Sequence, residues 1–297
     1  MTFSLLYGTL KHANHDLVIS YRKPPLIKFL GEITSIVTGG KRLARDFNIP
    51  NWFHQPHFRS TENPTALLQG VMGPKCIMNT QQKALRSRDI DCVNMGPTIN
   101  FGPLIESIKD LENELVRLFN ESGGKKINLI GHSLGGIYAL HLARKFPEMV
   151  EQVILLGSPS DATPEELRQI THLSVLHDLM HLVHSKFHPD FIDNWEKETN
   201  KTDLPMPVTV FVAREDGIVD PHCCKMPKNN RTKVIVLDCN HFDLIALDAI
   251  DQYMADIILY GQDVDPPACV KDLIVPDTHH LYTFTMPSPL ADLKFAV

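Results

Sequence analysis

The sequence of 297 residues has few of the features that tie a protein to a membrane or to nucleic acid. Its longest apolar runs are far shorter than the roughly 20 residues that a membrane-spanning helix needs. Its amino terminus lacks the positively charged region and the small-residue cleavage site of a signal peptide. It has no basic run, and its formal net charge is -6. We therefore expect a cytoplasmic protein without a transmembrane segment and without a nucleic-acid partner.

Patterns typical of metal sites and disulfides are also lacking. The 6 cysteines show no zinc-site spacing, and the adjacent pair Cys223 and Cys224 has poor geometry for a disulfide, so we expect reduced thiols. One stripe of histidines has helical spacing, and two imidazoles so placed can bind zinc, but no carboxylate shares that stripe. We interpret it as a polar helix face and expect no metal. The stripe consists of His177, His181, His184 and His188.

A short apolar strand runs into a tight turn between Ile127 and Gly136. The segment reads Ile-Asn-Leu-Ile-Gly-His-Ser-Leu-Gly-Gly and contains G-x-S-x-G, followed by apolar residues spaced for a helix. In such a turn a side chain at Gly131 or Gly135 would collide with the neighbouring backbone, and the serine between them is strained. The pattern predicts a nucleophile elbow with Ser133 at its tip. A plain glycine-rich turn between a strand and a helix is the alternative.

Two later strands each end in a loop that carries a possible partner for this serine. The β-branched run 207–213 opens into Arg-Glu-Asp-Gly-Ile-Val-Asp-Pro, and the run 233–237 precedes Asp-Cys-Asn-His-Phe. Because the carboxyl ends of parallel strands meet at one edge of a sheet, Asp216 and His241 can meet the serine there. We prefer Asp216 because it closely follows the strand and precedes a glycine. The alternatives are Glu215 and Asp220 for the acid, and His222 for the base.

The middle of the chain alternates between strand and helix patterns. This alternation predicts an α/β fold with a mostly parallel central sheet. The predicted elements are a strand at 90–94, a helix at 104–119, a strand at 127–130, a helix at 134–146 and a strand at 152–156. A helical pattern at 244–260 follows the histidine loop.

Three motifs together resemble the α/β-hydrolase family, and within it the small microbial serine lipases and esterases. They are Gly-His-Ser-Leu-Gly-Gly, Asp216-Gly-Ile-Val-Asp-Pro and Cys239-Asn-His241, and the resemblance covers roughly residues 65–260. It implies the α/β-hydrolase fold, in which helices cover both faces of the sheet and a helical lid is inserted. It also implies a catalytic triad of Ser133, Asp216 and His241.

An oxyanion hole is expected from two backbone amides in this fold. The first belongs to Leu134, the residue after the nucleophile, and the second lies in the loop after an early strand. The resemblance points to Val71 for the second donor. The chain departs here from many members of the family, which have His-Gly or Pro-Gly where this chain has Gln69-Gly70.

The resemblance divides the chain into a core and two extensions. We predict an N-terminal helical extension at 1–64, a hydrolase domain at 65–262 with a helical lid at 158–204, and a C-terminal tail at 263–297. In the extension, residues 25–37 form an amphipathic pattern with Lys28, Glu32 and Ser35 opposite the apolar face. We expect that face to pack on the domain's own core, and a lipid interface or a second subunit are the alternatives.

The sequence thus predicts serine-dependent hydrolysis of a small-molecule ester through an acyl-enzyme, without a cofactor. Met72 beside the oxyanion loop, and Leu179 and Val183 in the lid, are the candidate substrate-binding residues and favour an apolar acyl group. A thioesterase or an acyltransferase of the same fold remains open. So does a hydrolase-fold protein that binds without catalysis, because a fold does not determine a function.

Overall fold

The structure is a computed structural model, and it describes residues 31, 32, 34, 56–60, 62–71, 73–100, 104–160, 204–224, 226 and 231–275. Within these residues, six strands form a single parallel sheet. The strands are β1 (Thr65–Leu68), β2 (Cys92–Asn94), β3 (Ile127–His132), β4 (Val150–Leu156), β5 (Val208–Ala213) and β6 (Thr232–Leu237). They lie in the order β2-β1-β3-β4-β5-β6, so β3 and β4 are central.

Helices cover both faces of this sheet. They are α1 (Asn79–Arg86), α2 (Leu104–Glu121), α3 (Leu134–Lys145), α4 (Asp248–Tyr260) and α5 (Ala268–Lys271). Alternate residues of one strand point to opposite faces, and the core is accordingly split in two. Ala66 and Leu68 of β1 pack with α2 and α3, whereas Leu67 packs with α1 and α4. The predicted α/β fold with a parallel sheet and two helical layers is confirmed.

The buried strands explain why their sequences carry no polar alternation. Every residue of β1, β3 and β5 is buried, because helices lie on both faces and neighbouring strands on both edges. Continuous apolar and β-branched runs are therefore favoured. The carboxyl ends of β3, β5 and β6 all lie at the same edge of the sheet, which brings the loops that follow them close together.

Some boundaries differ from the sequence-based prediction. Strand β2 begins at Cys92 rather than at residue 90, and the pattern at 244–260 divides into a 3-10 helix (Phe242–Ile245) and α4. A second 3-10 helix (Lys75–Met78) and α1 were not predicted, and neither was α5 in the C-terminal tail. After α5, Ile274 forms an antiparallel bridge with Leu237, so this part of the tail covers the edge of β6.

Several predicted segments lie wholly or partly outside the described residues. These are most of the lid and its histidine stripe, most of the N-terminal extension and the tail after residue 275. In the part of the chain that is described, no helix is both long and apolar enough to cross a membrane. All six cysteines are described, and each is a free thiol.

Candidate active site

Ser133 lies at the turn between β3 and α3, in a backbone conformation that few residues adopt. Its φ is 52° and its ψ is -122°, outside the regions favoured by residues with a side chain. A Cβ built on Gly131 would lie 2.4 Å from Gly136 Cα, and one on Gly135 would lie 2.1 Å from Leu68 O. These contacts involve backbone atoms, which cannot move aside. The predicted strained turn is confirmed, whereas the role of Ser133 as a nucleophile stays a prediction.

Asp216 and His241 meet where β5 and β6 end. His241 Nδ1 lies 2.6 Å from Asp216 Oδ2, and both side chains are almost wholly buried. The other carboxylate oxygen, Oδ1, accepts hydrogen bonds from the backbone amides of Ile218 at 2.8 Å and Val219 at 2.7 Å. Both oxygens are therefore occupied, which holds the carboxylate in one orientation towards the imidazole.

The alternative acids have different partners. Asp220 caps the 3-10 helix Pro221–Cys223 by accepting a hydrogen bond from His222 N at 3.0 Å. Glu215 donates its backbone amide to Cys239 O at 3.1 Å, which fastens the acid loop to the histidine loop. Of the three acids in this loop, Asp216 is the one that the structure brings to His241 Nδ1.

The histidine also lies against the elbow. The rings of His132 and His241 have centroids 4.6 Å apart, and His132 Nε2 donates a hydrogen bond to His241 O at 3.4 Å. Burial, together with the nearby charge of His241, lowers the pKa of the His132 imidazole well below its ordinary value. His132 is therefore neutral. It directly precedes Ser133 in the chain, and its ring packs against the ring of His241.

The charges around His241 favour its protonated form. Burial lowers the pKa of the imidazole, but the charge of Asp216, its hydrogen bond and the charge of Glu32 together outweigh burial. The net pKa of His241 is therefore raised above its ordinary value. An imidazole in this setting accepts a proton more readily than a free one, which suits a general base.

The loop after β1 passes close to the serine. A Cβ built on Gly70 would lie 3.0 Å from Ser133 Cβ, so the absence of a side chain there permits the approach. The backbone amides of Val71 and Leu134 donate no hydrogen bond to any other residue that the structure describes. One of these amides directly follows Ser133 in the chain and the other directly follows Gly70, and their role as oxyanion donors stays a prediction. Met72, Leu179 and Val183 lie outside the described residues.

Comparisons with known proteins agree with this architecture. Residues 87–175 match the family model of the alpha/beta hydrolase fold. The chain is also similar to a solved metagenome-derived lipolytic enzyme, with a TM-score of 0.51 and 12% sequence identity over 69% of this chain and 97% of that one. The chain is an α/β-hydrolase-fold protein. The expected α/β-hydrolase fold is thereby confirmed.

Two curated relatives of this hydrolase-fold chain are acyltransferases by name. The homoserine O-acetyltransferase of Thermus thermophilus is 39% identical over 75 residues, which cover 25% of this chain and 19% of that protein. The probable alcohol acetyltransferase of Cyberlindnera jadinii is 23% identical over 246 residues, covering 78% of this chain and 67% of that protein. The matched part is thus about a fifth of the Thermus thermophilus protein's length.

The departure at Gln69 has a structural counterpart in this hydrolase fold. Asn100 Nδ2 donates to Gln69 O at 3.0 Å, and Tyr138 OH donates to Asn100 Oδ1 at 3.0 Å. The side chain of Gln69 also donates to Pro97 O. These bonds tie the loop after β1 to α3 and to the loop after β2. Asn100 and Tyr138 carried no local motif that would have revealed this role.

Glu32 is a further residue near the site whose position the sequence does not reveal. The amphipathic pattern placed it on the polar face of the N-terminal helix, yet its side chain is buried with 1% of its surface exposed. It accepts hydrogen bonds from the backbone amides of Gly217, His241 and Phe242. No signal in the sequence points to these contacts, because the partners lie 185 to 210 positions away.

Proposed function

We propose that this protein is a serine-dependent enzyme that cleaves carboxylic esters. Ser133 is the nucleophile, His241 the general base and Asp216 the acid that orients the base. One observation carries the proposal: a buried imidazole and carboxylate in contact at 2.6 Å, beside an elbow whose serine has a strained backbone. A purely structural turn gains nothing from this strain, whereas a nucleophile gains exposure of its hydroxyl to the substrate.

The proposed mechanism follows from the chemistry of these groups. A serine hydroxyl is a weak nucleophile at neutral pH, so it needs an imidazole to take its proton and later return it to the leaving group. Asp216 accepts a hydrogen bond from the Nδ1–H group of His241, so the imidazole keeps its proton on Nδ1 and its lone pair on Nε2 is available for that transfer. The same carboxylate stabilises the imidazolium that forms during attack.

The tetrahedral intermediate needs donors for its negative oxygen. The amides of Leu134 and Val71 would supply them, and removal of one such donor costs on the order of 100- to 1000-fold in turnover in enzymes of this kind. Collapse of the intermediate expels the alcohol of the ester and leaves the acyl group on Ser133. Attack by water then releases the acid and restores the serine.

Acyl transfer to an alcohol is the second candidate function. It shares every step up to the acyl-enzyme and differs only in the final nucleophile, which is an alcohol rather than water. The similarity to the probable alcohol acetyltransferase of Cyberlindnera jadinii, which extends over 78% of this chain, favours this candidate. A thioesterase would form the same acyl-enzyme from a thioester.

Labelling of the serine tests the proposal. A fluorophosphonate probe should modify the wild-type protein at Ser133, and Ser133→Ala should lose both the label and about 1000-fold or more of its turnover of p-nitrophenyl acetate. Ser87→Ala is the matched control, because Ser87 is an exposed serine that follows α1. Label retained in Ser133→Ala, or wild-type turnover in that variant, would overturn the proposal.

The final acceptor is decided by product analysis. The enzyme is given a p-nitrophenyl ester with and without a short alcohol, and the acid and the new ester are quantified. A hydrolase releases the acid both with and without the alcohol. A transferase forms the new ester from the alcohol, even at alcohol concentrations where water is still in large excess.

We propose an apolar acyl group for the substrate, on the basis of Met72, Leu179 and Val183. Each methylene buried against such side chains contributes about 0.8 kcal/mol to binding. Leu179→Ser and Val183→Ser should therefore lower kcat/KM for long-chain p-nitrophenyl esters while leaving the acetate ester nearly unchanged. An equal loss across chain lengths, in variants with an unchanged Tm, would contradict a role in substrate selection.

A further inference from the structure

The carboxylate of Glu32 is shared between the two loops that carry Asp216 and His241. Glu32 Oε1 accepts from Gly217 N at 2.8 Å and from His241 N at 2.9 Å, and Oε2 accepts from Phe242 N at 3.2 Å. Gly217 directly follows Asp216. The single oxygen atom Oε1 therefore binds the backbone amide next to the proposed acid and the backbone amide of the proposed base. Gly31, the preceding residue, approaches Asn240 so closely that a Cβ on it would lie 2.9 Å from Asn240 Oδ1.

The buried position of Glu32 is unfavourable for its ionised carboxylate. Burial raises the pKa of Glu32, and the negative charge of Asp216 raises it further, whereas the amides of His241 and Gly217 and the charge of His241 lower it. The net pKa is raised, so the ionised carboxylate is less favourable here than in water. Among the residues that the structure describes, the titratable groups that face Glu32 are Asp216, His241 and the buried thiol of Cys239. Burial and the charge of Asp216 therefore disfavour the ionised form, and the backbone amides of His241 and Gly217 favour it.

We propose that Glu32 is a positioning residue. It holds the acid loop and the histidine loop in fixed positions relative to each other, and it places a negative charge near His241. This inference rests on the proposed function, because it assigns Glu32 a role through His241 and Asp216. Misplacement of a reacting group by about 1 Å can cost on the order of 100-fold in rate. Because Glu32 binds both loops, its loss should therefore lower kcat. Glu32 is thereby a part of the active site, although it lies outside the predicted hydrolase domain.

The charge of Glu32 has an effect separate from its hydrogen bonds. Within the described part of the chain, the titratable groups that face His241 are Asp216, Glu32 and the neutral ring of His132. The charge of Glu32 raises the pKa of His241, so it favours the imidazolium that forms as Ser133 is deprotonated. A neutral amide at this position can still accept through one oxygen but removes the charge. The two contributions are therefore separable by substitution.

The test compares Glu32→Gln and Glu32→Ala with the matched control Glu62→Gln. Glu62 is an exposed residue whose carboxylate pairs with Lys125 at 3.5 Å, in the loop before β1. For each variant, kcat, KM and the pH dependence of kcat/KM are measured with p-nitrophenyl acetate, and Tm is recorded. We expect Glu32→Ala to lower kcat by about 10- to 100-fold with little change in KM. Glu32→Gln should lose less and should shift the acid limb of the pH profile to lower pH, while Glu62→Gln behaves like wild type.

The outcomes distinguish the inference from the function on which it rests. If wild-type protein is not labelled at Ser133 by a fluorophosphonate, the proposed function and this inference both fail. If the wild type is labelled but both Glu32 variants have wild-type kcat and pH profiles, the inference alone fails. A fall in Tm and kcat with an unmoved acid limb in Glu32→Gln would assign the residue to folding and overturn the positioning role. Should Glu32→Ala not fold, the nearly isosteric Glu32→Gln decides by its pH profile.

Discussion

Replacement of Asp216 by asparagine should reverse the proton arrangement of His241. In the wild type, Asp216 Oδ1 accepts from the amides of Ile218 and Val219, and Oδ2 faces His241 Nδ1. An asparagine keeps its single oxygen towards the two amides, because an NH₂ group there would face two donors. Its NH₂ group must then donate to His241 Nδ1. The imidazole proton moves to Nε2, where it blocks acceptance of the serine proton.

The expected loss is large because the whole function of the base is removed while the shape is kept. A reversed tautomer of this kind costs about 10⁴-fold in kcat, which corresponds to about 5 kcal/mol of transition-state stabilisation. Asp220→Asn is the matched control, because asparagine caps a helix as well as aspartate does and Asp220 acts as a cap. Its kcat should stay within about twofold of wild type.

The assay is kcat for p-nitrophenyl acetate at saturating substrate, on variants whose Tm is within a few degrees of wild type. An orienting role for Asp216 is refuted if Asp216→Asn keeps more than about a tenth of the wild-type kcat. It is also refuted if Asp220→Asn is the more damaged variant, which would transfer the orienting role to Asp220.

Two further predictions concern the base and the elbow. The pKa of His241 is raised and the base must be neutral to act, so kcat/KM should fall as pH falls through that pKa. The midpoint of this fall should lie above the ordinary histidine value of 6.5. A midpoint below 6.5 in a pH-rate profile would contradict the effect of the Asp216 and Glu32 charges on His241. Gly135→Ala should lower the free energy of unfolding by about 3 kcal/mol, since its Cβ would lie 2.1 Å from Leu68 O. Gly123→Ala meets no atom within 4 Å, so it should lower that free energy only by the roughly 1 to 2 kcal/mol that a positive φ costs a residue with a side chain. Urea unfolding that ranks the two variants in the opposite order would refute the close approach at Gly135.

Much of the fold could be read from local patterns. The strand and helix around Ser133 follow from an apolar run, two glycines and helical spacing, all within about 20 positions. The same holds for β5, in which every residue is buried, and for β6, in which the last three residues are buried. Parallel strands then place the loops after β3, β5 and β6 at one edge, so the meeting of serine, acid and histidine loops was predictable.

The sequence favoured Asp216 among the neighbouring acids but did not exclude the other two. Glu215, Asp216 and Asp220 lie within six positions, and all three carry a carboxylate that could in principle reach an imidazole. The turn that lets Ile218 and Val219 donate to Asp216 aims that carboxylate at His241, while Asp220 is engaged as a cap. Backbone direction within a loop depends on such bonds, and residue identity alone does not specify it.

Glu32 shows most clearly what only the tertiary structure decided. By its spacing it belongs to the polar face of an amphipathic helix, and local physics predicts that a carboxylate there faces water. It is instead buried against the amides of Gly217 and His241, contacts that close over 185 and 209 positions. Periodicity reports which side of a helix is apolar, but it carries no information about which distant loop offers unpaired amides to a charged side chain. The sequence by itself determined the elbow, the sheet and the chemical types at its edge, and the packing of distant segments decided which carboxylates surround the histidine.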